Sequence, residues 1–168
     1  MPRNTDGNLA LLSRERPILQ AMLRARDSRQ KVHINVPKKD EDGNEYFFDF
    51  WIRPLSEPEM TECTLRASQF KQDPQAGGMI VPVLDPFQQS LANSYMIVAA
   101  TIPDPEAPTG TPTIWADPET LGAFDVVDAA EVVDQVLLAY EKMAVVAKIN
   151  EISGGNAAMA KLVESAKN

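Results

Sequence analysis

Residues 31–53, KVHINVPKKDEDGNEYFFDFWIR, constrain the fold more than any other stretch of this chain. Val32, Ile34 and Val36 fall on one side of an extended run, and Phe48, Phe50 and Ile52 alternate against Asp49 and Arg53 in a second. KKDEDGNE lies between them and contains Asp42-Gly43-Asn44, a strong turn signal. Two alternating runs around such a turn predict a β-hairpin. A lone hairpin is marginal in water, so helices must cover its apolar face. The fold class that follows is α+β: a predominantly helical single domain with an N-terminal β-hairpin and a long C-terminal helix.

The covering helices can be read in turn. Ser13 is a candidate N-cap for a helix that starts near Arg16, with Pro17 in its first turn and Ile18, Leu19, Met22 and Leu23 on one face. SEPEMTECTLRASQFKQDP opens with Ser56, Glu57, Pro58 and Glu59 and is expected to stay helical to Pro74, with Met60, Leu65, Ala67 and Phe70 as its contacts. QAGGMIVPVLDP reads as extended, a short edge strand broken by Pro82. Asp85 then caps a helix with Pro86 at its first position and Leu91, Tyr95, Val98 and Ile102 as its stripe. PDPEAPTGTPTIWADP, residues 103–118, holds five prolines and reads as an irregular connection anchored by Trp115. Residues 1–12 read as a mobile N-terminal arm, 13–154 as the folded domain, and 155–168 as a flexible or short helical tail.

AEVVDQVLLAYEKMAVVAKINEISG, residues 130–154, has no proline and no glycine before Gly154, so it predicts one long helix. At about 100° per residue, Val132, Val133, Val136, Leu137, Tyr140, Met143, Ala144 and Ala147 share a broad apolar face. Leu138, Val145, Ile149 and Ile152 form a second, narrower stripe among the charges, at offsets of 0, 7, 11 and 14. A helix resting on one core needs one stripe, so these four residues are the candidate partner-binding set. The competing reading is that another helix of the same chain covers them.

Composition narrows the function. The chain has 168 residues, 44% of them apolar, enough for a buried core. No apolar run approaches the roughly 18–20 residues that span a bilayer, and the N-terminus lacks a secretory pattern, so no membrane partner and a cytoplasmic setting are expected. The net charge of −8 is uneven: residues 1–40 carry nine Lys/Arg against four Asp/Glu, and the rest carry seven against twenty. Phosphate would be repelled by that acidic body, which argues against nucleic-acid binding. His33 and Cys63 are the only residues of their kinds and sit on different predicted elements, so no Cys/His metal site and no Cys–His nucleophile is expected. DEDGNE at 40–45 starts like a calcium loop, but Trp51 stands where the closing glutamate belongs. Two glycines at 77–78 have no lysine beside them to make a phosphate loop. The chain is expected to be no enzyme, with no cofactor and no metal; a small enzyme built on a carboxylate pair is the minor alternative.

Three stretches carry a family resemblance. FDFWIRPLSEPEM (48–60), YMIVAATIPDP (95–105) and EVVDQVLLAYEKMAVVAKINEISG (131–154) together resemble the XkdN-like tail assembly chaperones of long-tailed phages and phage-derived particles. The third ends in I-x-x-I-S-G, here Ile149 to Gly154, and has Tyr140-Glu141 where family members often carry Gly-Glu. The resemblance implies a chaperone that covers the apolar helix faces of the tape measure protein in the host cytoplasm before the tail tube polymerises. The tape measure protein is then the expected partner, with the tail tube protein and a second copy of the chain as further candidates. The other class of function is a structural subunit retained in a tail, baseplate or contractile particle.

Overall fold

The computed structural model describes residues 17–27 and 30–154. The arm at 1–12, the Ser13 cap and the tail at 155–168 lie outside the described residues. Helix α1, Pro17–Asp27, begins on its proline and stands as a unit separate from residues 31 onward. Ile18 and Met22, one turn apart on it, are both exposed.

The hairpin forms as strands β1, Val32–Lys39, and β2, Glu45–Ile52, in antiparallel register with Ile34 opposite Phe50 and Val36 opposite Phe48. Asp40 ties the turn by accepting from the Asp42 and Asn44 N–H groups, and Gly43 takes the positive φ of 83° that a side chain would resist. Alternation puts Val36, Phe50 and Ile52 into the core and leaves His33, Asn35, Asp49 and Phe47 outside.

Helix α2, Glu57–Ala67, starts on a capping box in which Ser56 Oγ accepts from the Glu59 N–H and the Glu59 carboxylate accepts from the Ser56 N–H. It ends seven residues before Pro74. Ser68 turns extended, and residues expected to continue the helix become β3, Gln69–Asp73, paired with β4, Met79–Val83. The pairing wins because MIVPV supplies a β-branched partner strand that a local helical reading cannot see. Phe70, expected as a helix contact, is exposed on this two-stranded hairpin. Helix α3, Pro86–Ala100, is capped by Asp85 as expected, but its core side is Ala92, Met96, Ile97 and Ala100. It gives way to a two-residue strand, β5, Thr101–Ile102, which pairs with Trp51 and Ile52 to make the sheet order β1-β2-β5.

The proline-rich connection does anchor through Trp115, which is buried, meets Phe48 and Phe50 edge-on at 5.4 and 5.3 Å, and donates Nε1–H to Thr101 Oγ1 at 2.8 Å. Helices α4 (Pro118–Phe124), α5 (Ala129–Val136) and α6 (Ala139–Ile152) complete a mixed α+β fold. Helices α5 and α6 both pack on α3, and Val132, Val133, Leu137, Val145 and Ile149 join Ile52, Ile97 and Trp115 in the core.

Candidate docking surface at the helix elbow

The predicted single helix is two. Leu137 (φ −99°, ψ 128°) ends α5 and Leu138 (φ −68°, ψ 159°) precedes α6, so two successive extended residues make an elbow. Neither proline nor glycine causes it. The orphan groups of the broken helix find tertiary partners instead. Lys38 Nζ, reaching from β1, donates to the Val136 carbonyl at 2.8 Å and to the Glu141 carboxylate. Glu141 in turn accepts from the Leu138 N–H at 2.7 Å. On the other side, Lys142 Nζ donates to Asp134 Oδ1 at 2.6 Å across the elbow and to Ser90 Oγ at 2.8 Å on α3. Asp134 also accepts from the buried Ser94 hydroxyl at 2.6 Å.

Glu141 and Lys142 are both buried. Burial alone would push the Glu141 carboxyl up; the Lys38 ammonium and the Leu138 N–H outweigh it and hold the group below its ordinary value. Among the described residues, no buried side-chain nitrogen or oxygen lacks a hydrogen-bond partner. Two charges can therefore sit on the inner face of α6 without an unmade bond.

The elbow resets the helical phase, and this exchanges the faces expected for the second half. Tyr140 and Met143, predicted to face the core, are 68% and 67% exposed, and Ala144 and Ala147 are exposed with them. The second stripe is not one open surface. Leu138 is 58% exposed, Val145 and Ile149 are 4% and 0% exposed in the core, and Ile152 packs half-buried against it. The residues that reasoning from periodicity missed are Tyr140 and Met143. The signal was faint: Glu141 sits three residues after Leu138, as in a capping box, but leucine offers no capping oxygen.

Two hollows lie along β1 and the helices of the elbow, and Lys38 lines the first of them. The first is a cleft of about 570 Å³ walled by Tyr46, Phe48, Trp115, Phe124 and Val136, where the inner face of the sheet runs past its helical cover. The second is a groove of about 340 Å³ between β1, from Val32 to Pro37, and the α6 residues Tyr140, Ala144 and Lys148. Tyr140 lines the second hollow, and Leu138 and Met143 are exposed on the same stretch of chain. Exposed apolar side chains grouped in this way are candidates for contact with another chain.

Catalytic candidates stay apart. His33 bonds Asp49 at 2.7 Å and stacks on Trp51 on the outer sheet face, while Cys63 is buried in α2, where burial pushes its thiol up. Among the described residues no group of three His, Cys, Asp or Glu side chains converges as a metal site. No described helix is long and apolar enough to cross a membrane.

A family model described as phage XkdN-like tail assembly chaperone protein matches residues 19–167. The chain belongs to that family. No curated protein and no solved structure matches it. The match takes in the whole described elbow, both hollows and the hairpin, so the surface at Leu138–Met143 is a surface of a tail assembly chaperone.

Proposed function

We propose that this tail assembly chaperone binds and shields the tape measure protein during tail morphogenesis in the bacterial host cytoplasm, without catalysis. The observation that supports the reading best is the exposed set Leu138, Tyr140 and Met143 at and just after the elbow, with Tyr140 also lining the groove against β1. An amphipathic helix presents apolar anchors one turn apart, and open apolar side chains on the facing chain give those anchors a surface to bury against. Leu138 makes direct contact in this reading. Val145, Ile149 and Ile152 act from behind, by fixing α6 on the core so that Tyr140 and Met143 point outward. Reversible burial is all the task needs, because the tube protein must later displace the chaperone as it polymerises around the tape measure.

The test is co-purification of tagged chain with the tape measure protein of the same particle, comparing wild type with Leu138→Glu/Tyr140→Glu. Both positions are open, so circular dichroism should not change, while recovery of the tape measure protein should fall at least tenfold. Undiminished recovery by the folded variant removes this surface from the proposal. Mass spectrometry of mature particles separates the chaperone from a structural subunit: a chaperone is absent from them, and stoichiometric presence would favour the subunit.

A further inference from the structure

Strand β1 is the edge of its sheet, and among the described residues no strand pairs with its outer side. Pro37 identifies which backbone groups point that way. Proline stays in an antiparallel ladder without loss only where its missing N–H would have faced outward. Pro37 is paired with Phe47 in an unbroken register, so alternation makes 33, 35, 37 and 39 the positions whose backbone groups face the free edge. His33 and Asn35 therefore offer both N–H and C=O there, and Pro37 offers C=O alone. A helix facing this edge completes the groove: the hollow is lined on one side by Val32–Pro37 and on the other by the α6 residues Tyr140, Glu141, Ala144, Val145 and Lys148. The small Ala144 side chain leaves the width for incoming side chains.

We propose that this groove takes an extended, acidic segment of another polypeptide, which adds to β1 as a fourth strand. Unpaired ladder positions fit an extended backbone and no helix, because a helix has already spent its own N–H and C=O groups. Charge decides between a foreign strand and a second copy. Lys31 and Lys39 bracket the edge in sequence and Lys148 stands on the facing helix, while the one carboxylate among the lining residues, Glu141, is held by Lys38, on a chain whose residues 41–168 carry seven Lys/Arg against twenty Asp/Glu. Lys39 and Lys148 rest on Glu45 and Glu151 in solvent-exposed pairs at 3.1 and 3.0 Å. Such exposed pairs hold weakly, and an incoming carboxylate can compete for them. Antiparallel self-pairing centred on Asn35 would instead set Lys31 opposite Lys39 of the other copy, which like charges oppose. Lysines and a proline on an edge are the usual guard against self-addition. A strand with alternating β-branched residues and flanking Asp or Glu satisfies both the ladder and the rim. The inference does not rest on the tape-measure reading, and its test uses no tape measure protein.

The probe is a random dodecapeptide display library panned on the full chain. Enriched peptides should alternate β-branched residues, carry carboxylates near their ends, and slow hydrogen exchange at the His33 and Asn35 amides. Asn35→Pro removes one outward N–H, and Ala144→Glu fills the groove and repels the rim-binding carboxylates; each should weaken binding about tenfold with the thermal unfolding midpoint unchanged. Ala144 is exposed, so that variant keeps the test open if the proline disturbs β1. Absence of enrichment, enriched peptides with helical periodicity, or binding that survives Ala144→Glu would each overturn the proposal. So would a dimer in light scattering that Ala144→Glu dissolves, because the groove would then belong to a second copy.

Discussion

Replacing Glu141 by alanine tests whether the elbow is held by tertiary contacts. The carboxylate accepts from the Leu138 N–H and from Lys38, and its side chain is 6% exposed. Loss of a cap of this kind costs about 1 kcal/mol. Removing one partner of a buried ion pair costs about 3–5 kcal/mol, because the other charge is left behind. Lys38 softens that, since its side chain is 16% exposed and keeps the Val136 carbonyl at 2.8 Å. With Lys38 still solvated and bonded, the net cost falls below the simple sum, to about 3 kcal/mol, a large part of the stability of a domain this size. Urea denaturation followed by circular dichroism at pH 7 measures it. In Glu141→Ala/Lys38→Met no ammonium is stranded, so the double variant should be more stable than Glu141→Ala alone by at least 1 kcal/mol. A Glu141→Ala cost below 1 kcal/mol, or simple additivity with Lys38→Met, would refute the argument and return the elbow to local sequence.

Val145→Glu should lose about 3 kcal/mol or fail to fold, unlike Leu138→Glu, because position 145 is in the core, where a carboxylate loses its hydration; thermal unfolding of the pair separates a holding residue from an open one. Trp115→Phe should cost about 2–3 kcal/mol by denaturant titration, losing both ring volume and the bond to the buried Thr101 hydroxyl. Arg53 lies against Glu59 and lowers its carboxyl to about 2. A lowered pKa gives stability that is complete above the ordinary carboxylate range and is lost as pH falls from about 4.5 towards 2. Glu59 is about one-third exposed, so solvent screening reduces the contribution to about 1 kcal/mol, and Glu59→Gln should flatten the acid limb of stability by that amount. Cys63 should react with iodoacetamide only on unfolding, as its thiol is buried and its ionisation disfavoured.

Local chemistry alone determined a good share of this protein. The period-two runs at 32–36 and 48–52 and the turn at 42–44 dictate the hairpin, since strand alternation and turn dihedrals are properties of a few neighbouring residues. Ser56, Asp85 and their following prolines fix two helix starts for the same reason. Motifs spread over the chain marked the family, which residues 19–167 match.

Tertiary structure decided the rest. Within LLAYEK only the spacing of Glu141 from Leu138 hints at two helices; the bend at Leu137–Leu138 is held by Lys38, about a hundred residues earlier, which takes the freed Val136 carbonyl, and by Lys142, which reaches Ser90 on α3. That bend rotates α6, puts Glu141 and Lys142 inside and turns Tyr140 and Met143 outward. Periodicity assumes an unbroken phase and solvated charge. Both assumptions fail where distant side chains can pair a buried charge, and only the folded chain brings those side chains together.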